Sequence, residues 1–174
     1  FDDSSAGEMV NGEIQSNASA GITICHGSNP TLSQCKVVKG NAEGILIHGG
    51  GCGDIQDCTF SQNSGAGARI IGAGSAPVFN RCVFTRAGKA GTMIGSGATP
   101  YIVKCRYQSN DGPGLEITGA MSNPTVTNST FKGGRCAAFI HGAGCGQFTD
   151  CTVLETKGVG VRVISKGNPT FLGG

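Results

Sequence analysis

The chain has 174 residues, a net charge of +2, 14% charged side chains, 31 glycines, nine cysteines and no tryptophan. That length suits one domain, the near-neutral balance gives no basis for a general nucleic-acid role, and no apolar run is long enough to span a membrane. Glycine-rich, weakly charged chains are often disordered, so any order must come from pattern.

Residues 1–20 fit the pattern less well and are expected to hold the last of a preceding coil; Asp2-Asp3 lies outside it. From there a Gly-apolar-x-apolar motif recurs every 23 or 24 residues. It reads Gly21-Ile22-Thr23-Ile24, Gly44-Ile45-Leu46-Ile47, Gly67-Ala68-Arg69-Ile70, Gly91-Thr92-Met93-Ile94, Gly114-Leu115-Glu116-Ile117, Ala137-Ala138-Phe139-Ile140 and Gly160-Val161-Arg162-Val163. A second register runs Pro30, Gly53, Pro77, Pro100, Pro124, Gly146, Pro169, and a third runs Gly12, Cys35, Cys58, Cys82, Cys105, Ser129, Cys151. A repeat of this length is one structural unit that must stack on its neighbours to bury anything.

Within each unit short alternating apolar stretches are separated by Gly, Asn, Ser and Pro. The second unit offers Leu32, Cys35, Val37, Ile45 and Ile47; the third offers Ile55, Cys58, Phe60, Ala68 and Ile70. Phe79, Cys82, Phe84 and Ile94 follow, then Ile102, Cys105, Tyr107, Leu115 and Ile117. Spacing by two places side chains on one face of a strand, and such runs are too short for helices. Three strands per unit, joined by tight turns, close one coil. Seven coils at a spacing of about 4.8 Å make a rod on the order of 34 Å long, an all-β right-handed parallel β-helix spanning 1–174 as one domain. A leucine-rich solenoid would need helices and a leucine spacing that are missing. A seven-strand sandwich would not repeat side-chain identity at every third turn. Residues 168–174 begin a further coil, so the chain is expected to be a piece of a longer protein.

Five cysteines share the inward register, where a free thiol serves as a small apolar residue. The coil spacing also falls within disulfide range, so bridged and reduced columns are both open. A reduced column fits a reducing, intracellular and cytoplasmic compartment better.

Any chemistry must sit on the outward positions. Two residues after the motif glycine stand Thr23, Leu46, Arg69, Met93, Glu116, Phe139 and Arg162. One carboxylate among apolar residues makes no acid–base pair there. Before the cysteine register stand Gln34, Asp57, Arg81, Lys104, Asn128 and Asp150; Asp57 and Arg81 are expected to form a weak surface ion pair. His48 with Cys52 and His141 with Cys145 look like metal pairs, but they lie four coils apart, about 19 Å, and each supplies two ligands of the four a structural zinc needs. His26 sits one residue out of their register. Asp54 is the one acid close to His48 in sequence. No catalytic residue, cofactor or metal is therefore expected.

The segments His48-Gly-Gly-Gly-Cys-Gly-Asp-Ile-Gln-Asp-Cys-Thr-Phe60 and His141-Gly-Ala-Gly-Cys-Gly-Gln-Phe-Thr-Asp-Cys-Thr-Val153, with the Gly-Ile-x-Ile strand, resemble the carbohydrate-binding and sugar-hydrolase-type β-helix repeats. They are similar to those of the β-helical F-box substrate receptors and the SHC SH2-domain-binding proteins, where the inward ladder is often Asn rather than Cys. That resemblance implies a non-catalytic protein-binding or scaffold module of a larger intracellular protein, with target recognition for ubiquitin transfer as its F-box form. The likeness to pectate lyases and polygalacturonases implies a glycan lyase or hydrolase, though their paired Asp beside Gly-His-Gly is missing. A structural part of a cytoskeletal or axonemal assembly is the third reading. The expected partner is another protein, met through Leu46, Arg69, Met93, Glu116, Phe139 and Arg162, with Leu46, Met93 and Phe139 as an exposed apolar row. Neither nucleic acid nor membrane is an expected partner, and a glycan enters only with the enzyme reading.

Overall fold

A computed structural model describes residues 1–173; Gly174, in the segment expected to begin a further coil, lies outside them. The strands form three parallel sheets, and no helix occurs among the described residues. Each coil contributes one strand to each sheet. In the third coil these are Asp54–Gln56, Thr59–Ser61 and Ala68–Ile71; in the fourth, Val78–Asn80, Val83–Thr85 and Thr92–Gly95. Seven coils are complete, and Asn168–Leu172 pairs with Cys145–Thr149 as the first strand of an eighth. The first coil is more regular than its sequence suggests. Glu8–Val10 pairs in full register with Thr31–Ser33, and Glu13–Gln15 with Lys36–Val38.

Register is like over like. Ile24 lies on Ile47 and Ile47 on Ile70; Phe79 lies on Ile102, and Phe60 on Phe84. The second sheet's inward column carries a stack of rings: Phe60 on Phe84 at 5.2 Å, Phe84 on Tyr107 at 5.0 Å and Tyr107 on Phe131 at 4.7 Å. Phe79 meets Phe60 and Phe84 edge-on, tying the first sheet to the second. Such pairs add stabilisation beyond the area they bury. Tyr107 is wholly enclosed. Its hydroxyl shares a 3.2 Å hydrogen bond with Thr92, and burial pushes its pKa well above the ordinary phenol value.

The corners explain the other registers. The residue before each cysteine-register position is left-handed: Asn11, Gln34, Asp57, Arg81, Lys104, Asn128 and Asp150 all have φ between 51° and 56°. One such residue turns the chain from the first sheet into the second and sends its own side chain outward. The next side chain points inward. Cys35, Cys58, Cys82 and Cys105 are buried, and Cys151 packs against the core. These thiols are more than apolar filler. The Cys82 thiol donates to the carbonyls of Ile55 (3.3 Å) and Asn80 (3.6 Å), and Cys105 to those of Phe79 (3.5 Å) and Val103 (3.4 Å). Ser129 fits the same place because its hydroxyl donates to Thr127 at 3.0 Å. The corner asks for a small donor, which Cys and Ser both supply.

Buried Asn does occur, but at the next corner. Asn63 accepts from the amide of Gly40 (2.9 Å) and donates to the carbonyl of Val37 (3.0 Å); Asn110 does the same with Ala87 (3.0 Å) and Phe84 (3.1 Å). Each Asn serves the coil before its own, so alternate coils carry a small residue: Gly40, Asn63, Ala87, Asn110. The third corner alternates likewise through Gly51, Ser75, Ala98 and Ser122. Ser75 accepts from Gly50 at 3.3 Å and Ser122 from Gly97 at 3.0 Å. The molecule therefore has a two-coil period inside the one-coil period.

The motif glycine is set by close approach. A Cβ on Gly91 would lie 2.6 Å from Tyr107 Cδ1 and 2.7 Å from the carbonyl oxygen of Gly114. No side chain fits there without displacing the next coil.

Candidate functional site on the third sheet

The third sheet carries Thr23, Leu46, Arg69, Met93, Glu116, Phe139 and Arg162 in one register, each paired with the next. Alternation within each strand turns this row outward, because the residues on either side, such as Leu115 and Ile117 around Glu116, are fully buried. Leu46, Met93 and Phe139 are half-buried rather than exposed, a correction to the sequence expectation. Their neighbours fold over the row. Arg69 reaches back to Glu43 (3.7 Å), the imidazole of His141 stacks on Phe139 at 4.4 Å, and the Arg162 guanidinium lies 5.3 Å from the centre of the same ring.

The row ends in a cleft of about 620 Å³. Glu116, Phe139 and Arg162 line it from the sheet, and Pro113, Arg135, Cys136 and Val159 from the turn that enters the third sheet. Leu46, Arg69 and Met93 stand further along the row and do not line it. Arg135 was not anticipated. Its place, two residues before the Ala137 motif position, becomes visible only once the turn is seen to rise beside the row. Burial pushes the Cys136 thiol up, so that thiol is a wall rather than a ready nucleophile.

The expectation of an outer wall without a paired acid needs a second correction. His141 ends the strand Ala138–His141 and is not a turn residue. Its Nε2 lies 3.2 Å from Glu116 Oε1, and its Nδ1 lies 3.3 Å from Thr118 Oγ1. Glu116 and His141 belong to adjacent coils, with Phe139 over Glu116 and His141 over Thr118. The pair is therefore diagonal, and a search along single columns passes between them. Carboxylate, imidazole, aromatic face and two guanidinium groups can together bind a carboxylate or phosphate beside an apolar group, and the pair can hold or pass a proton.

His48 occupies the equivalent place four coils away without these neighbours. The residues diagonal and adjacent to it are Thr23 and Leu46. Asp54 does not orient it; its carboxylate accepts from Gln56 at 2.7 Å. Cys52 donates to the carbonyls of Gly50 (3.6 Å) and Gly74 (3.7 Å), and Cys145 weakly to that of Ala143 (3.9 Å). Asp57 and Arg81 form the expected ion pair, two bonds of 2.8 and 2.7 Å, with both side chains partly in solvent.

Three parallel sheets to which every coil adds one strand each define a parallel β-helix solenoid. The chain belongs to the right-handed β-helix family: the family model described as right handed beta helix region matches residues 21–173. That match supports the repeat family and does not carry the finer resemblance to F-box receptors. No curated protein matches the chain. Among solved structures, the crystal structure of the Agl-KA catalytic domain is similar, with a TM-score of 0.59 and 11% identity. The match covers 94% of this chain and 41% of that one, so this chain spans less than half the length of that protein. At such identity the likeness is one of fold alone.

Proposed function

We propose that the outer face of the third sheet is a protein-binding surface and that the chain acts as a non-catalytic binding or scaffold module of a larger intracellular protein. The observation that carries this reading is the row from Leu46 to Arg162. It keeps strict backbone register while changing side-chain chemistry at every coil, and it ends in a cleft lined by an aromatic ring and two arginines. A rigid ladder of unlike residues suits an extended partner segment read one side chain per coil, with a carboxylate beside an apolar residue at the cleft. The inward thiols support a reducing, cytoplasmic setting, because each is used as a hydrogen-bond donor to backbone carbonyls, a role that a disulfide would end. Recognition of a target for ubiquitin transfer is one form such binding would take.

Met93→Asp with Phe139→Asp tests the reading. Both side chains face outward, so the far-ultraviolet spectrum should be unchanged while capture of the partner from native lysate is lost. Undiminished capture by a folded double variant overturns the proposal.

A second reading, a glycan lyase or hydrolase, is favoured by one observation: Glu116 lines the cleft with His141 hydrogen-bonded behind it. The solved catalytic domain of like fold supports it at the level of architecture only. Glu116→Gln separates the two. An enzyme would lose turnover of polygalacturonate or a related glycan by orders of magnitude. A binding module would show no turnover in either form.

A further inference from the structure

The second cluster of chemical groups lies at the opposite end of the molecule, where residues 1–5 form a turn stacked on residues 23–28. The backbones are joined by several hydrogen bonds: Cys25 donates to Phe1 (3.1 Å), Ser4 to His26 (2.8 Å) and Asn29 to Ser5 (3.0 Å). Ser5 and Ser28 meet at 3.3 Å. This frame holds three side chains of different donor type together. Asp2 Oδ1, Cys25 Sγ and His26 Nδ1 all lie within 4.8 Å of one another. The sulfur is 3.4 Å from the carboxylate oxygen, which also contacts the imidazole Nδ1. The carboxylate is held further by the backbone amide of Asp3 (2.8 Å), and the His26 ring is buttressed edge-on by His48, 6.2 Å between centroids.

We propose that Asp2, Cys25 and His26 form a mononuclear zinc site with three protein ligands and a fourth position open to solvent. Thiolate, imidazole and carboxylate are the donor set of zinc sites, and three protein ligands with one exchangeable position is a stable arrangement for that ion. Calcium and magnesium would not use the sulfur or the imidazole. The open side follows from exposure: the Asp2 and His26 side chains each keep 62% of their surface in solvent, while Cys25 is buried behind them. Binding replaces the Asp2–His26 and Cys25–Asp2 hydrogen bonds by bonds to the metal. The Cys25 thiol gives its proton to water, and His26 binds as the neutral ring. The ion thereby fastens the first turn to the second coil. This departs from the expectation of no metal, which weighed only the His48–Cys52 and His141–Cys145 pairs. Asp2 and His26 are one coil apart in sequence, so stacking alone brings them together.

Cobalt reports on the site directly. Titrating the reduced, metal-free chain with Co²⁺ at neutral pH should saturate at one equivalent and give near-ultraviolet thiolate-to-metal charge-transfer absorption, which Zn²⁺ then displaces. Cys25→Ser should remove that band although eight cysteines remain. Asp2→Ala and His26→Ala should each weaken binding by about tenfold or more, the least expected when even an outer-shell partner is lost. Both side chains are exposed, so these variants fold whether or not Cys25→Ser does. Zinc should also raise the melting temperature of the parent and not that of His26→Ala. Absence of stoichiometric binding, or a band that survives in folded Cys25→Ser, overturns the proposal.

Discussion

The inward column of the second sheet and the outward row of the third obey one backbone register and read oppositely. Inside run Ile14, Val37, Phe60, Phe84, Tyr107 and Phe131, in which ring stacks on ring. Outside run Leu46, Arg69, Met93, Glu116, Phe139 and Arg162, no two alike in succession. Stacking demands like over like only where side chains touch each other in a dry space. Facing water, each coil is free to carry its own chemistry, and what a side chain does there depends on the coil next door. The two equivalent histidines make the point. His141 has Glu116 and Phe139 beside it and backs two residues of a cleft, whereas His48 has Thr23 and Leu46 and packs against His26.

Phe84→Ala strikes the inner column hardest. It removes a buried ring held between Phe60 and Tyr107 and should cost about 3–5 kcal/mol, readable as a large fall in the urea midpoint. Met93→Ala, on the outer row of the same coil, should cost on the order of 0.5–1 kcal/mol. Equal losses would mean that the outer row is as tightly packed as the core. Next in size is Gly91→Ala, where the new methyl meets Tyr107 and the Gly114 carbonyl; about 2–3 kcal/mol is expected. The equivalent Gly160 has only Val153 Cγ1 at 3.6 Å, so Gly160→Ala should be neutral or slightly stabilising in the same denaturation experiment.

Asn63→Ala sharpens the contrast from the polar side. It leaves the amide of Gly40 and one acceptor site on Val37 without their partner in a buried corner, for a cost of about 1–3 kcal/mol. Gly40→Asn should fail to rescue it, because an Asn there reaches the coil before and not its own.

The sequence made the strands, their order and the inward columns readable, since Cys58, Phe60 and Ile70 mark burial by type and by a constant spacing. The corners were harder. Nothing in Arg81 or Lys104 announces a left-handed residue, because geometry is imposed there by the turn and not preferred by the side chain. The alternation of Asn63 and Asn110 with Gly40 and Ala87 was hidden by its double period. The row from Leu46 to Arg162 was located by spacing alone, but its half-burial, the part of Arg135 and the Glu116–His141 contact were not. Each depends on a diagonal between coils or on a turn rising beside a sheet, and neither is a periodic property. The Asp2, Cys25 and His26 cluster is hidden for a similar reason, as Asp2-Asp3 lies outside the readable repeat.

The smallest effect concerns the outward corner residues Asp57 and Arg81. The guanidinium holds the Asp57 carboxyl below its ordinary value of 3.8 through hydrogen bonds and charge. A lowered carboxyl pKa contributes stability above the unfolded-state value and loses it as the pH falls through the folded-state value. The parent should therefore exceed Arg81→Gln slightly at neutral pH, with the gap closing in strongly acid solution and shrinking as salt is added, since both side chains are solvent-accessible. Carbon-detected titration of Asp57 should show its pKa return toward the ordinary value in Arg81→Gln. A gap that persists through acid would mean that Arg81 acts through the geometry of its left-handed corner and not through its charge. In that case the outer positions answer to the backbone as strictly as the inner ones do.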